Sequence, residues 1–446
     1  MFVSKALLKL RKLWTAPLYI VGGAVRDALL GYSVSDIDLA SPLLPEEVVK
    51  LLDGSPFSAK PNSVKLGTLG ICGFGEKFEY TAFRSDSYAD GGHHTPASVE
   101  FGVSIFEDAK RRDFTANSIY FDIGKGEFVD PVGGMGDLER RILRTARAPE
   151  EVIDEDALRI LRMVRFSAKL GFQPDAKLFQ AAKAMRLNLN NIVPDRIRDE
   201  LVGIMLSDAE NGVKNAHVRG IELMRELGVL ELILPEVAAC IGVAQNPRWH
   251  RYDVYEHLLK TYENTPPELE LRLAGLLHDI GKPPAGSAKG RTAEHPDFGA
   301  WLAGKRLGEL RFSGKLTDRV SELIRLHMFD LRGDVSEKEE RLFVLEHYKC
   351  IPELVILKNA DRAGSGMRSG PSPAGERLLN TLAAMKKEGV AFSVGELKVN
   401  GNDVMKLQPA LRGNALRSLL RRNAFDPEVR TREGALKYIR DFPRNG

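Results

Sequence analysis

Two aspartates lie two residues apart in a segment that reads YIVGGAVRDALLGYSVSDIDLA from Tyr19 to Ala40. Side chains at i and i+2 of a β-strand point to the same face, so Asp36 and Asp38 could bind one hard cation together. Carboxylate oxygens with room left for water and phosphate suit Mg²⁺, and two such ions promote in-line phosphoryl transfer. Taken alone, however, the pair more often marks a charged turn between two apolar elements.

Two glycines precede these aspartates, at the end of an apolar and β-prone run. Gly22 and Gly23 would let backbone N–H groups approach a phosphate, and the helix-like sequence after them would add its dipole. Arg26 could reach the same phosphate, although an exposed helix charge is the simpler alternative. The segment therefore combines a candidate metal site with a candidate phosphate site.

The composition of the 446 residues is that of a globular protein, with 43% hydrophobic and 28% charged residues. The formal net charge is only +3, so nucleic-acid binding would have to come from local basic patches. Cys72, Cys240 and Cys350 lack any paired spacing, which excludes a disulfide framework and predicts a reducing cytoplasm. No apolar run approaches the roughly 18 residues of a membrane span, and the basic N-terminus predicts an amphipathic helix rather than a secretory signal.

Short β-prone runs separated by Gly, Pro, Asn and Asp fill the first part of the chain, and helical periodicity dominates the rest. From about Val152 the apolar residues recur every 3.6 residues, which predicts one helix with Asp154 as its N-cap and Gly171 at its end. Stretches rich in Gly, Ser and Pro predict breaks at 283–290 and 363–375. We therefore predict an α+β fold, with a mixed head followed by an all-helical body.

The motifs of the head occur in an order that resembles a known superfamily. Gly-Gly-x-Val-Arg-Asp followed by Asp-x-Asp resembles the nucleotidyltransferases related to DNA polymerase β, in particular class II tRNA nucleotidyltransferases and bacterial poly(A) polymerases. Further blocks match in order: RRDFTANSIYFD, DPVGGMGDLERRILR, DEDALRILRMVRFSAKLGF and PDRIRDEL. The resemblance covers Tyr19 to Leu201 densely. It implies a polymerase β-like head with Mg²⁺ at Asp36 and Asp38.

The resemblance also implies which residues bind the incoming nucleotide. They are Gly22, Gly23 and Arg26 at the triphosphate, Arg112 and Asp113 at the ribose, and Asp156, Arg159 and Arg162 on the neck helix. In the family, the positions of Asp156 and Arg159 select CTP and ATP over GTP and UTP, and Glu155 belongs to the same motif.

Asp156 and Arg159 are spaced i and i+3, so we expect them to share a helix face. A carboxylate acceptor beside a guanidinium fork can read the Watson–Crick edge of a base without any nucleic-acid template. The alternative is a solvated charge ladder in which Glu155 and Arg159 form an i,i+4 pair.

Three features of the head are less distinctive. Glu79 lies where the superfamily often has a third carboxylate, although an ordinary surface charge fits equally well. Arg84 ends the same run and could lie near the triphosphate. The segment SDSYADGGHHTPASVEFG resembles the family's flexible loop, but it has HHTP at His93 to Pro96 where the family usually has Arg-Arg-Pro.

A second group of residues with metal-binding chemistry is scattered over the helical body. The doublet His278-Asp279 in LLHDIGK resembles the HD superfamily of metal phosphohydrolases, which implies a divalent transition metal held by His257, His278, Asp279 and Asp361. His295 and His327 could complete a second metal, and Lys282 could contact a substrate phosphate. The alternative for any single histidine is an ordinary core or surface residue.

Together these features predict a cytoplasmic class II tRNA nucleotidyltransferase that adds CCA to the 3′ end of tRNA from CTP and ATP. A CC-only or A-only enzyme, a poly(A) polymerase, and an HD phosphohydrolase with an inactive head are the alternatives. The predicted divisions are a catalytic head (1–150), a helical neck (151–245), an HD domain (246–365) and a tail (366–446). Arg417, Arg421 and Arg422 on the tail are candidate contacts to the tRNA acceptor arm, or else ordinary surface charges.

Overall fold

The computed structural model describes residues 3–34, 36–63, 65–88, 96–283, 294–408 and 412–442. The chain forms two units, Met1–Pro235 and Glu236–Gly446. None of the described helices is both long and apolar enough to span a bilayer.

Short strands form the centre of the first unit. They are β1 (Tyr19–Val21), β2 (Asp38–Ser41), β3 (Phe57–Ser63), β4 (Thr68–Gly73), β5 (Glu76–Ala82), β6 (Arg84–Ser87), β7 (Ser98–Phe101), β8 (Tyr120–Asp122), β9 (Glu127–Val129), β10 (Ile142–Leu143) and β11 (Gln173–Pro174). Within the described residues, seven of these strands join in one sheet with the order β3-β4-β5-β2-β1-β8-β9. Strands β2 and β5 run parallel and the other neighbours antiparallel, which confirms the predicted mixed sheet.

The register of this sheet positions the first acidic residues. Val21 at the end of β1 lies opposite Asp38, and Asp38 is paired in turn with Glu79 on β5. Strand β2 begins only at Asp38, so Asp36 lies just before the strand instead of on it. Val21 belongs to a buried apolar cluster with Tyr120 and other core residues. The strand that pairs with Asp38 is therefore anchored in the core.

Helices pack around the sheet and continue beyond it. In the first unit they are α1 (Lys5–Leu13), α2 (Gly23–Leu29), α3 (Pro45–Leu52), α4 (Ile105–Lys110), α5 (Gly134–Arg140), α6 (Pro149–Glu155), α7 (Arg159–Leu170), α8 (Ala176–Ala184), α9 (Pro194–Met205), α10 (Ala216–Leu227) and α11 (Leu230–Ile233), with α12 (Pro235–Ala238) beginning at its last residue. Helix α1 confirms the helix predicted at the N-terminus, and Ser4 caps it by accepting a hydrogen bond from the N–H of Leu7.

The single helix predicted from about Val152 is wrong, because the chain forms two helices there. Helix α6 ends at Glu155, Asp156 is extended with φ −151°, and α7 begins at Arg159. The carboxylate of Asp156 accepts a hydrogen bond from the N–H of Leu158 at 3.1 Å, which satisfies a donor at the start of α7. Asp154 therefore lies inside α6 and is no N-cap, whereas Gly171 does end α7 in the left-handed conformation, with φ +67°.

The second unit is helical in the residues that the structure describes. Its helices are α13 (Val254–Glu263), α14 (Leu269–Leu277), α15 (His295–Glu309), α16 (Gly314–Leu326), α17 (Glu337–His347), α18 (Ile351–Gly364), α19 (Pro373–Lys387), α20 (Gly401–Leu407), α21 (Arg412–Asn423) and α22 (Arg432–Arg440). The break between α18 and α19 confirms the one predicted at 363–375. The break predicted at 283–290 lies almost wholly outside the described residues. The architecture is the α+β head and helical body expected from the sequence.

Candidate active site

The first unit contains a cavity of about 520 Å³ that is lined mainly by charged side chains. The residues that the motifs assign to metal, triphosphate, ribose or base all line it: Gly22, Gly23, Arg26, Asp36, Asp38, Arg112, Asp113, Asp156, Arg159 and Arg162. The fold thus brings together positions that are up to 140 residues apart in the chain, from Gly22 to Arg162.

Carboxylates cluster at one side of this cavity. Burial raises the pKa of Asp38, the Arg112 guanidinium lowers it, and the neighbouring charges of Glu79 and Asp36 raise it further. This mutual repulsion is the electrostatic setting that a divalent cation relieves, and carboxylate oxygens are the donors that Mg²⁺ prefers. The residues present therefore fit the predicted ion. Glu79 pairs in register with Asp38 but does not line the cavity.

Gly22 holds the backbone close to these groups. Its φ of +79° is a conformation that favours glycine, and a Cβ there would lie 3.4 Å from Asp38 Oδ2 and 3.9 Å from Arg112 Nη1. Arg26 is buried. Its Nε and Nη2 donate to Asp27 at 2.7 and 2.8 Å, and its Nη1 donates to Asn117 Oδ1 at 2.7 Å. The guanidinium is thus fixed in one orientation and is not the exposed helix charge of the simpler alternative.

A buried carboxylate that the sequence analysis did not identify holds Arg112 in place. Asp108 Oδ2 accepts hydrogen bonds from Arg112 Nη2 at 3.1 Å and from the Tyr120 hydroxyl at 2.6 Å, while Oδ1 accepts one from Arg111 Nε at 2.8 Å. Burial would raise the pKa of Asp108, but the two arginines and the hydroxyl lower it to about 2. Asp108 lies three and four residues before the arginines, a helical spacing that was visible in the sequence.

Asp113, which follows α4, and Arg162 on α7 form a pair between distant parts of the chain. Arg162 Nε donates to Asp113 Oδ2 at 2.8 Å and Nη2 donates to the same oxygen at 2.5 Å, while Asn117 Nδ2 donates to Oδ1 at 3.1 Å. Burial alone would raise the pKa of Asp113, but Arg162 and Asn117 lower it to about 2. The carboxylate is therefore ionised and fixed.

Asp156 and Arg159 reach the same cavity, although they do not share a helix face as expected. Asp156 lies in the break before α7 and accepts hydrogen bonds from Arg196 Nη1 and Nη2 at 3.3 and 2.9 Å. Arg159 Nη1 donates to Glu155 Oε2 at 2.7 Å, and Nη2 donates to the carbonyl of Arg111 at 3.0 Å. The Glu155–Arg159 pair exists, but Arg159 is buried, so it is not a solvated charge ladder.

Other side chains line this cavity that the sequence analysis had not identified. They are Ala24, Asp27, Val34, Arg111, Asn117, Arg165, Phe166, Lys169 and Arg196. Arg165, Phe166 and Lys169 follow Arg162 at i+3, i+4 and i+7 on α7, so helical periodicity could have found them. Arg196 belongs to α9, and only the folded structure shows that it contacts Asp156.

Three further expectations have mixed outcomes. Arg84 pairs with Asp86 at 2.9 Å and does not line the cavity. Of the HHTP sequence, His93 to Thr95 lie outside the described residues. On the tail, Arg421 pairs with Glu346, and Arg422 pairs with Asp426 at 2.7 Å.

The second unit brings the predicted HD residues together in its interior. His257 Nε2 lies 3.1 Å from His278 Nε2, 3.1 Å from Asp361 Oδ1 and 3.3 Å from Asp279 Oδ2. His278 Nδ1 hydrogen-bonds the carbonyl of Gly275 at 3.0 Å, which leaves its Nε2 directed at the cluster. Burial would lower the pKa of His257, but Asp279 and Asp361 raise it to about 9.

The other oxygen of Asp279 faces a second pair of histidines. Asp279 Oδ1 lies 3.2 Å from His295 Nε2 and 3.6 Å from His327 Nε2. Lys282 pairs with Asp279 Oδ2 and donates to Gln245 Oε1 at 2.7 Å. The ligand atoms form two groups, each compact enough for one metal ion, and imidazole with carboxylate is a donor set that suits divalent transition metals.

Only part of this cluster borders a second cavity, of about 530 Å³. Its lining includes Asp279 and Asp361 from the cluster, together with basic and apolar side chains.

Comparison with known proteins identifies the parts of the chain. The poly A polymerase head domain matches residues 18–144, the probable RNA and SrmB-binding site of polymerase A matches 171–241, and the HD domain matches 250–363. The first match spans the sheet, the second spans helices α8 to α12, and the third spans the helices that carry the histidine cluster.

Several known enzymes are similar in sequence. An A-adding tRNA nucleotidyltransferase of Deinococcus radiodurans is 30% identical over 444 residues, covering 94% of this chain and 94% of that protein. CCA-adding enzymes of Geobacillus kaustophilus and Ligilactobacillus salivarius are 46% and 39% identical, over 34% and 42% of this chain. The chain spans less than half the length of those two relatives, 37% and 45%.

Solved structures share the fold. The Bacillus stearothermophilus CCA-adding enzyme in complex with CTP matches with a TM-score of 0.70 and 24% identity, covering 97% of this chain and 95% of that one. The Thermotoga maritima CCA-adding enzyme complexed with tRNA matches with a TM-score of 0.55 and 18% identity, over 98% and 95% of the two chains. Because a match to the Deinococcus enzyme extends over nearly the whole of both proteins, the chain belongs to the tRNA nucleotidyltransferase family, as its motifs had indicated, and it carries an HD domain.

Proposed function

We propose that the first unit adds CMP, CMP and AMP to the 3′ end of tRNA from CTP and ATP, without a template. The observation that carries this proposal is the single cavity shared by the acidic, basic and neck residues. In each step the oxygen of the RNA 3′ hydroxyl forms a bond to the α-phosphorus of the nucleotide. The bond from that phosphorus to the β-phosphate oxygen breaks, pyrophosphate leaves with the electron pair, and the hydroxyl proton passes to solvent.

Asp36 and Asp38 would hold Mg²⁺, which when bound supplies charge stabilisation for the attacking hydroxyl and the leaving pyrophosphate. Gly22 lets the backbone approach the triphosphate, because no Cβ stands between the turn and Asp38. Arg26 and Arg112 supply positive charge on the cavity wall, and their carboxylate partners hold both guanidinium groups in place. Such preorganised charge is the main means by which proteins promote phosphoryl transfer.

Asp156 and Arg159 would select the base. Both are held by partners inside the protein, Asp156 by Arg196 and Arg159 by Glu155, so an acceptor and a donor keep fixed positions in the cavity. A fixed acceptor beside a fixed donor discriminates between bases, because a mismatched base leaves buried polar groups unpaired. The family resemblance of these positions supports selection of CTP and ATP.

Addition of A alone is a second candidate. It is supported by the Deinococcus radiodurans relative, an A-adding enzyme that matches over 94% of both chains. The matches to CCA-adding enzymes have higher identity but are shorter.

Three tRNA transcripts separate these candidates: one that lacks CCA, one that ends in CC and one that ends in CCA. The proposal predicts incorporation of C on the first, of A on the second and of neither on the third. Extension of the CC-ended transcript alone would favour A-only addition, and long A tails would contradict both. A variant carrying Asp36→Asn and Asp38→Asn should be inactive on every transcript.

For the second unit we propose a metal-dependent hydrolase of phosphate esters. His257, His278, Asp279 and Asp361 would hold one divalent ion, and His295 and His327 would complete a second site with Asp279. When bound, such an ion supplies Lewis-acid activation of the ester and of the attacking water. In the reaction a water oxygen bonds to phosphorus, one P–O ester bond breaks, and the alcohol leaves with a proton.

Phosphate release from 2′-AMP, and ring opening of 2′,3′-cyclic AMP, test this activity in the presence of Mn²⁺, Ni²⁺ or Co²⁺. His278→Ala should abolish hydrolysis and leave nucleotide incorporation into tRNA intact. Loss of both activities would contradict two independent sites.

We also propose the four-part division of the chain, with boundaries at residues 150, 245 and 365. We further propose that the tRNA is contacted by Arg417, Arg421 and Arg422. A cytoplasmic location is supported by the three cysteines, which are all free.

A further inference from the structure

A third group of side chains with metal-binding chemistry lies in the second unit and shares no residue with the histidine cluster. It consists of Glu322 on α16, His347 at the end of α17 and Cys350 just before α18. One potential ligand atom of each residue lies within 4.8 Å of those of the other two. Of the groups of potential metal ligands in the described residues, only this one contains a cysteine. Three elements thus bring three different donor types together.

A tight turn and one arginine hold these groups in place. In the turn, the N–H of Cys350 donates to the carbonyl of His347 at 2.8 Å. Arg319, on the same helix as Glu322, donates from Nη2 to the carbonyl of Lys349 inside this turn at 2.7 Å. The turn and α16 are therefore fixed to each other by a contact that needs no metal, and such supporting contacts orient the ligands of metal sites.

The two oxygens of Glu322 face different partners. Oε2 lies 3.5 Å from Arg319 Nη1, whereas Oε1 lies 3.1 Å from His347 Nδ1. Arg319 also pairs with Glu353 at 3.0 Å, and Glu270 lies 3.9 Å from it. One guanidinium thus faces three carboxylates, and the remaining negative charge favours a bound cation.

The three side chains differ in burial. Cys350 is fully buried, whereas the side chains of His347 and Glu322 are 25% and 35% exposed. Burial and the neighbouring Glu322 carboxylate raise the pKa of the Cys350 thiol to about 12, which is the opposite of what a reactive cysteine needs. The exposed side gives an ion and a water molecule access to the sulfur.

The donor types indicate which ion this group would bind. Thiolate and imidazole suit Zn²⁺, whereas Mg²⁺ and Ca²⁺ prefer oxygen ligands. Two residues separate His347 from Cys350, which is within the usual spacing of paired zinc ligands. A simple ion pair between His347 and Glu322 is the alternative, but such a pair requires no thiol within reach of both side chains.

We propose that Glu322, His347 and Cys350 bind a structural Zn²⁺ ion that joins α16 to the turn between α17 and α18. One carboxylate oxygen, one imidazole nitrogen and the sulfur each form a bond to the ion, and a water molecule takes the fourth position. The thiol proton passes to solvent when the sulfur binds. The ion stabilises the fold and takes part in neither proposed reaction, so this site is independent of the proposed function.

Cobalt substitution tests the site, because a sulfur ligand gives Co²⁺ a near-ultraviolet charge-transfer band that imidazole and carboxylate ligands do not give. The metal-free protein should develop this band when it is titrated with Co²⁺, and Zn²⁺ should remove it by displacement. Cys350→Ser should lack the band. Cys240→Ser is the matched control, because Cys240 is also a buried, free cysteine of this unit, and it should retain the band. No band in the wild type, or a band that depends on Cys240, would overturn the proposal.

The two more exposed ligands provide variants that do not disturb the core. In Glu322→Gln and in His347→Ala, the dissociation constant for Co²⁺ should rise by at least roughly 10- to 100-fold, the loss that is usual when a metal site loses a supporting partner. Glu346→Gln is the control, since Glu346 precedes His347 in the chain, pairs with Arg421 and is no member of the group. Equal dissociation constants in Glu322→Gln and Glu346→Gln would contradict the assignment of Glu322.

The stabilising role is measured in a background that lacks the histidine cluster's own metal. In the variant His278→Ala, His327→Ala, added Zn²⁺ should still raise the urea midpoint, because an ion that binds only the folded chain stabilises it. The further substitution Cys350→Ser should abolish this rise. A midpoint that does not respond to Zn²⁺ in this background, or that responds equally without the thiol, would overturn the structural role.

Discussion

Asp108 holds Arg112 by two hydrogen bonds, which run from Arg112 Nε and Nη2 to one carboxylate oxygen at 3.3 and 3.1 Å. Asp108 is fully buried and does not line the cavity, whereas Arg112 does. The aspartate therefore reaches the proposed nucleotide site only through the arginine, as a positioning residue.

Asp108→Asn should destabilise the head and weaken nucleotide binding. Removing the charge leaves the Arg112 guanidinium without its buried counterion and Arg111 with Asp86 at 3.7 Å, and breaking a buried pair costs about 3–5 kcal/mol. We expect a lower urea midpoint and a raised KM for CTP. Glu107→Gln is the control, since that neighbour is exposed and pairs only with Lys110 among the described residues. Unchanged midpoint and KM would show that the ion pair does not matter.

Asp38→Asn should lower the rate of nucleotide incorporation by about 100-fold or more. The substitution removes a ligand of the proposed ion, whose charge stabilisation of the transition state is worth several kcal/mol. Glu79→Gln tests whether the residue in register with Asp38 is a third ligand. A comparable loss would assign it to the metal, and a near-wild-type rate would leave it a surface charge. Asp53→Asn, an exposed aspartate at the end of α3, controls for loss of charge elsewhere.

Because of the pair formed by Asp113 and Arg162, the free energy of unfolding should depend on pH in the acid range. The pKa of Asp113 is lowered to about 2 in the folded chain, so its contribution is fully present above about pH 4 and is lost as the pH falls toward 2. The shift corresponds to about 2 kcal/mol. The difference in free energy of unfolding between wild type and Asp113→Asn, from urea titrations at pH 7 and pH 3, should shrink at the lower pH. A difference independent of pH would contradict this assignment.

Arg196→Ala should relax base selection more than it slows catalysis. Without Arg196, Asp156 loses the donor that orients it, and we expect misincorporation of UMP relative to CMP to rise about tenfold, equivalent to ~1.4 kcal/mol. Arg198→Ala is matched to it, because Arg198 lies on the same helix and pairs with Asp195 and Asp199. Equal effects of the two substitutions would mean that Arg196 acts only through charge.

Metal content should follow the two groups around Asp279. After loading with Mn²⁺ and gel filtration, His278→Ala should lose the ion of the group that contains His257 and Asp361, and His327→Ala the ion of the group that contains His295. Manganese per protein, measured by elemental analysis, should fall in both variants and reach its minimum in the double variant. A wild type that retains no metal would remove the basis of this assignment.

The candidate site residues were largely evident from the sequence, since the ordered motifs identified ten positions that the fold gathers around one cavity. The same holds for the mixed sheet and for most helices, because periodicity and turn residues are local properties. Strand β3, with Pro61 and several exposed residues, carried too weak an alternation to be found.

Tertiary structure alone decided how these residues are held. The sequence between Val152 and Leu170 favours one helix, but Asp156 breaks it, and the contact with Arg196 on α9 stabilises that break from 40 residues away. The sequence position of Asp108 is typical of an exposed charge on a helix, but the residue is buried and forms ion pairs with two arginines. Cys350 could not be assigned a partner on α16 from the sequence, because only folding places that helix beside the thiol. Types and spacing of residues specify the chemistry that the chain can perform, whereas long-range contacts fix the orientation of each charge.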